Sequence, residues 1–71
     1  MRHWLKTSRI ENNLTMKTLS KKLDISESYY CAIENGIRQE RMDMALASRI
    51  SVELKIPLDI IARNENLIAG E

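Results

Sequence analysis

The stretch from Thr15 to Gly36, TMKTLSKKLDISESYYCAIENG, predicts two short helices joined by a tight turn. The hydroxyl of Thr15 is suited to cap the first helix, and the hydroxyl of Ser26 is suited to cap the second. Glu27, in the first turn of the second helix, is favourable against the helix dipole. The closing Asn-Gly pair is a strong stop, so the second helix ends where the stretch ends.

Three more helices follow when the same reasoning is extended to both sides. Asp43 is suited to cap a helix, and Pro57 stands where a proline at a helix N-terminus is tolerated. Residues 37–41 read as a polar connection and residues 67–71 as a tail, which leaves residues 1–66 as the domain. The five predicted helices run from about Arg2 to Asn12, Met16 to Leu23, Glu27 to Glu34, Met44 to Leu54 and Leu58 to Asn64.

Apolar residues recur at helical spacing, which predicts an all-α fold with one core. From the first helix we expect Leu5 and Ile10 to point inward, and from the fifth helix Leu58 and Ile61. Tyr30 lies three residues before Ile33 and shares the inner side of its helix. The remaining predicted core positions are Leu19, Leu23, Ile33, Leu46, Ile50 and Leu54.

Length and charge bound the class of protein. The chain has 71 residues, enough for one domain, with 44% hydrophobic and 30% charged residues. That balance is typical of a globular protein and not of a disordered one. The net charge is only +1, but residues 1–41 carry eight basic and five acidic residues, whereas residues 42–71 carry three and five. The uneven distribution favours one basic working face.

Several functional classes lose support from the composition. Cys31 and His3 are each the single residue of their type, so no internal disulfide and no metal or cofactor site is predicted. No apolar run approaches the ~18 residues of a membrane span, and no secretory signal is visible, so we expect a cytoplasmic protein. No nucleophile pattern, Gly-rich phosphate loop or acid–base pair occurs, which argues against an enzyme.

The pattern of the central stretch and its flanks resembles the Cro and phage-repressor type of helix-turn-helix regulator, the XRE family. The resemblance covers roughly residues 3–62, continuing through Leu46-Ala47, Ile50, Leu54, Ile56 and Leu58-Asp59. Its most specific parts are the Leu-Thr entry, the Ile-Glu-Asn-Gly exit and the spacing between them. The matching residues are Leu5-Lys6, Arg9, Leu14-Thr15, Leu19-Ser20, Leu23, Ile25-Ser26, Tyr30, Ile33-Glu34-Asn35-Gly36 and Arg38.

The resemblance implies a compact five-helix, lambda-repressor-like domain that binds double-stranded DNA and regulates transcription. The second helix of the motif would enter the major groove, where base edges are read near a helix N-terminus. By position, Arg9 and Glu34 would form a structural ion pair. Base contacts would come from Glu27, Ser28 and Ala32, and phosphate contacts from Thr15, Met16, Lys17, Tyr29 and Arg38.

One such domain buries little surface on DNA, so we expect a homodimer, acting as a repressor on a near-palindromic operator. Ile60, Leu67 and Ile68 are the candidate dimer residues, although they also suit completion of the core. An alternative from another class is a protein-interaction module, such as the antitoxin-like partner of another protein, with DNA binding secondary. It is motivated by Met16 in place of the family's common Gln, by the short Ala32 and by the near-neutral charge.

Overall fold

Five helices make up the part of the chain, residues 1–65, that the computed structural model describes. They are α1 (His3–Glu11), α2 (Met16–Lys22), α3 (Glu27–Glu34), α4 (Met44–Leu54) and α5 (Leu58–Asn64). No strand occurs in this range. The predicted all-α class and the five-helix architecture are therefore confirmed, and α3 to α5 have the predicted bounds.

Side-chain caps begin three of the helices, as the sequence predicted. The Thr15 hydroxyl accepts a hydrogen bond from the Thr18 N–H at 3.0 Å, and the Ser26 hydroxyl accepts one from the Tyr29 N–H at 3.1 Å. The Asp43 carboxylate accepts from the Leu46 N–H at 2.8 Å. Each cap satisfies a backbone donor that has no partner inside its helix, so the start of the helix is fixed locally.

Residues with left-handed backbone conformation form the sharp turns around α2. Asn13 has φ 58° just beyond α1. Asp24 has φ 59° between α2 and α3. Asp and Asn tolerate this region better than most residues, which allows α2 to be followed by α3 after only four residues.

All five helices contribute to one core cluster, with α1 and α2 packed on α3, and α5 packed on α4. All six residues predicted as core from α2 to α4 are buried, as are Leu5, Tyr30 and Ile61. Leu58 is half-buried against the same cluster. Met42, which the sequence analysis placed in no core position, is also buried and closes the core beside the start of α4.

The expectation that Ile10 points inward is wrong, since its side chain is 54% exposed. The buried residues of α1 are Leu5 and Arg9, which lie four apart and therefore on one side of the helix. Because the Arg9 guanidinium has buried partners, α1 is rotated to bring it inward. Ile10, one residue further on, is then carried round to the solvent side.

Candidate nucleic-acid interface

The outer side of α3 is open to solvent along its first turn. Glu27 and Ser28 are exposed, and Tyr29 and Ala32 are half-buried. The Tyr29 hydroxyl accepts a hydrogen bond from Gln39 Nε2 at 2.8 Å, so its ring is held against the loop that follows α3. The structure thus places the predicted base-contacting residues on one helix, with the side chains of Glu27 and Ser28 exposed to solvent.

The inner side of α3 is anchored by a buried polar cluster. Glu34 is 3% exposed and accepts hydrogen bonds from Arg9 Nε at 3.0 Å and from the Tyr30 hydroxyl at 2.7 Å. Arg9 Nη2 reaches the other carboxylate oxygen at 3.4 Å, and Nη1 donates to the Leu14 carbonyl at 2.9 Å. These contacts join α1, the turn before α2 and the last turn of α3, so they fix the direction in which α3 points.

The electrostatics of this cluster raise the pKa of both Arg9 and Tyr30. The hydrogen bond to Glu34 raises the pKa of Arg9 above its ordinary value, against the opposing effect of burial. Burial raises the pKa of the Tyr30 hydroxyl well above 10.0, and the neighbouring Glu34 carboxylate raises it further. Tyr30 therefore stays a neutral donor and Arg9 a cation throughout the physiological range.

At the start of α2 the three predicted phosphate-contacting residues differ in exposure. Thr15 and Lys17 are exposed, whereas Met16 is half-buried and packs against the core. The Met16 side chain is therefore largely committed to packing, which accounts for an apolar residue at this place. Lys17 remains available to an outside partner, whereas the Thr15 hydroxyl is bonded to the backbone N–H and the hydroxyl of Thr18.

The loop after α3 carries Arg38, and its start is folded back onto the helix. The Ala32 carbonyl accepts hydrogen bonds from the N–H groups of Ile37 and Arg38, at 2.9 and 3.2 Å. The Arg38 side chain itself is exposed. Its backbone is thus fixed close to the C-terminal end of α3, the helix whose first turn carries Glu27 and Ser28.

Sequence reasoning missed Gln39, which ties this loop to both neighbouring helices. Its backbone is left-handed, with φ 54°, and its amide oxygen accepts from the Asp43 N–H at 3.0 Å. Its amide nitrogen makes the bond to Tyr29 described above. A glutamine in a polar connection gives no sequence signal for such a role, because the loop brings it close to both partners only once the chain has folded.

Sequence reasoning also missed a polar cluster at the chain start, formed by Arg2, Trp4 and Glu65. Arg2 is 7% exposed, and its Nε lies 2.9 Å from both carboxylate oxygens of Glu65. Trp4 Nε1 donates to the same carboxylate at 2.7 Å. An arginine next to the first residue would ordinarily be taken for a solvated side chain, so nothing in the local sequence indicated its burial.

Of the candidate dimer residues, Ile60 is 38% exposed on α5. Leu67 and Ile68 lie outside the described residues. Exposed apolar side chains elsewhere in the range 1–65 are Met1, Ile10, Ile37, Met44 and Val52. The predicted role of Ile60 in a dimer thus stays a prediction.

An open groove of about 240 Å³ lies between the turn that joins α2 to α3, the first turn of α3, the loop after α3 and α4. It is lined by Leu23, Ile25, Tyr29, Gln39, Asp43, Ala45, Leu46 and Arg49. Within residues 1–65 no group of three or more His, Cys, Asp or Glu side chains is placed to hold a metal ion. No helix among them is long and apolar enough to cross a membrane.

Comparison with known proteins gives a family match over most of the chain. The sequence profile of the family described as "Helix-turn-helix" matches residues 5–61. An uncharacterised HTH-type transcriptional regulator of Bacillus subtilis, YqaF, is 44% identical over 39 residues, which are 55% of this chain and 51% of that protein. The chain thus aligns with about half the length of this curated relative. No solved structure matches the present chain significantly.

Proposed function

Because this chain belongs to the XRE-type helix-turn-helix family of DNA-binding regulators, we propose that it binds duplex DNA sequence-specifically through α3. We further propose that it acts as a repressor, as a homodimer on a near-palindromic operator. Occupancy of an operator that overlaps a promoter is sufficient for repression, since it needs nothing beyond binding. Such a protein works where the DNA is, and we expect it in the cytoplasm.

The exposed first turn of α3 is the observation that carries this proposal. A helix can read the major groove only if its outer side is free while its inner side holds it rigidly. Glu27 and Ser28 are exposed, and the Arg9–Glu34 ion pair fixes the opposite side. The helix therefore stands as a rigid, accessible element, which is the geometry that groove insertion requires.

Two kinds of contact are proposed around this helix. Ser28 can donate to or accept from a base edge, Glu27 can accept from a cytosine amino group, and Ala32 can contact a thymine methyl. Lys17 and Arg38 would contact phosphates and set the register of the domain on the duplex. Thr15, Met16 and Tyr29 complete the proposed phosphate contacts, with Met16 contributing least because its side chain is turned to the core.

We propose a dimer because of the small DNA surface that one domain can cover. A single module of this kind buries too little DNA surface for strong specificity, so two copies on half-sites about one helical turn apart are expected. Ile60, exposed on α5, offers an apolar contact for a second copy. Leu67 and Ile68 follow α5 in the sequence and are proposed to extend that contact.

Selection of bound duplexes from a random pool tests the proposal directly. We expect a symmetric consensus, and an affinity that falls steeply as salt rises, because phosphate contacts release counterions. Failure to retain any duplex at low ionic strength would contradict the proposal. A salt-insensitive complex with another protein, in the absence of DNA binding, would instead favour the antitoxin-like alternative.

A matched pair of lysine variants tests the assignment of contacts. Lys17→Ala is expected to weaken binding to all duplexes alike and to lower the salt slope by about one. Lys22→Ala removes the same charge from the last turn of the same helix, where it is exposed and serves the helix dipole, and should leave the slope unchanged. Ser28→Ala should alter which sequence is preferred. Equal effects of the two lysine variants would reject the assignment.

A further inference from the structure

The Arg2 guanidinium donates hydrogen bonds to the loop that carries Arg38. Its Nη1 donates to the Ile33 carbonyl at 2.6 Å and to the Arg38 carbonyl at 3.3 Å, and its Nη2 donates to the Gln39 carbonyl. The Arg2 backbone N–H donates to the Glu34 carbonyl at 2.8 Å. One residue at the start of the chain thus binds both the end of α3 and the loop after it.

We propose that Arg2, paired with Glu65, is a positioning residue that sets the conformation of the Arg38 loop, residues 36–41, for phosphate binding. The proposal rests on the DNA-binding function above and adds to it a residue that does not itself touch DNA. Arg2 and Glu65 have side chains only 8% and 6% exposed, so neither is accessible to a duplex. Their effect on DNA must pass through the loop they hold.

The chemistry of the site explains why an arginine stands there. Arginine presents five N–H donors in a rigid planar fork, whereas lysine has three on a flexible stem. The fork binds the Ile33 carbonyl at the C-terminal end of α3, which has no partner inside the helix, together with the Arg38 and Gln39 carbonyls of the loop. A buried cation of this kind needs a counter-charge, and Glu65 supplies it with Trp4 holding the carboxylate in place.

The loop is held from its other side by Gln39. With the Gln39 carbonyl bound to Arg2, the backbone is kept in its left-handed conformation. The Gln39 side chain can then reach Tyr29 and the Asp43 N–H together. Release of Arg2 would therefore loosen Arg38 and also remove a constraint on Tyr29, so the end of α5 is coupled to two proposed phosphate contacts.

Amide hydrogen exchange on the free protein tests the hold on the loop without DNA. In Arg2→Lys, which keeps the charge but lacks the fork, the Arg38 and Asp43 amides should exchange at least about tenfold faster than in the wild type. The Ile50 amide, in the interior of α4, should exchange at an unchanged rate. Arg63→Lys, the same replacement at an exposed position, is the matched control. Unchanged exchange at Arg38 and Asp43 would overturn the proposal.

Salt titrations of DNA binding test the consequence. Arg2→Lys should lower the salt slope by about one, the value expected for one lost phosphate contact, at a temperature where circular dichroism shows the variant folded. In an Arg38→Ala background the same change should have little further effect on the slope, because the contact it positions is already gone. Additive losses would overturn the proposal.

The two arms separate failure of this proposal from failure of the proposed function. If the wild type retains no duplex at low ionic strength, the DNA-binding function fails and the positioning of a phosphate contact fails with it. If the wild type binds DNA with a steep salt slope but Arg2→Lys changes neither exchange nor slope, the DNA-binding function stands and the positioning role alone is refuted.

Discussion

Replacement of Glu34 by Gln should destabilise the domain more than any other single isosteric change in the anchoring cluster. The substitution keeps the shape of the side chain but removes the charge that compensates Arg9. Arg9 has a side chain 10% exposed and Glu34 one 5% exposed, so water does not replace the lost partner. The cost of leaving one member of a buried pair uncompensated is about 3–5 kcal/mol.

That cost is a large share of the free energy of unfolding that a domain of this length has. At about 0.05–0.15 kcal/mol per residue, a domain of this size has a free energy of unfolding of roughly 4–11 kcal/mol. For small domains each kcal/mol corresponds to about 4–8 °C in Tm, so Glu34→Gln should lower Tm by at least about 12 °C. Thermal melts followed by circular dichroism, with urea titrations for the free energy, measure both quantities.

Two further variants decide whether the reasoning is right. Glu27→Gln, on the exposed side of the same helix, should cost no more than about 1 kcal/mol, the value of its helix-dipole interaction. Arg9→Met introduced into Glu34→Gln should restore part of the lost stability, because it removes the unpaired charge. A melt of Glu34→Gln within about 4 °C of the wild type would refute the claim that the pair is a buried, mutually dependent unit.

The burial of Tyr30 and Leu5 in the core leads to two further predictions about stability. Because burial raises the pKa of Tyr30 above the 10.0 of an exposed tyrosine, the unfolded chain loses this proton first as pH rises. The contribution of this proton to the free energy of unfolding is fully present below about pH 10 and should fall by about 1.4 kcal/mol per pH unit above it. Urea titrations across this pH range should show a shallower fall in the free energy of unfolding for Tyr30→Phe. Leu5→Ala should cost about 2–5 kcal/mol, whereas Ile10→Ala, at an exposed position of the same helix, should stay within about 0.5 kcal/mol of the wild type; equal losses would show that the burial of α1 is misassigned.

Local chemistry made the helices predictable from the sequence. Thr15, Ser26 and Asp43 cap their helices through backbone groups three residues away, so cap and partner lie in one short stretch. The apolar spacing of α4 likewise repeats within each turn of the helix. The meeting of Arg9 with Glu34 was expected from the family pattern, because the two residues are 25 positions apart and spacing alone does not join them.

Tertiary structure alone decided the features whose partners are backbone atoms or distant side chains. Arg2 is buried because the end of α3 and the loop after it bring carbonyls from 31 to 37 positions away around its guanidinium, and a sequence does not show where carbonyls will point. Trp4 and Glu65 meet across 61 positions. Ile10 is exposed because the partners of Arg9 set the rotation of α1. Periodicity and caps therefore determine the helices of this protein, while the orientation of each helix depends on polar contacts that exist only once the chain has folded.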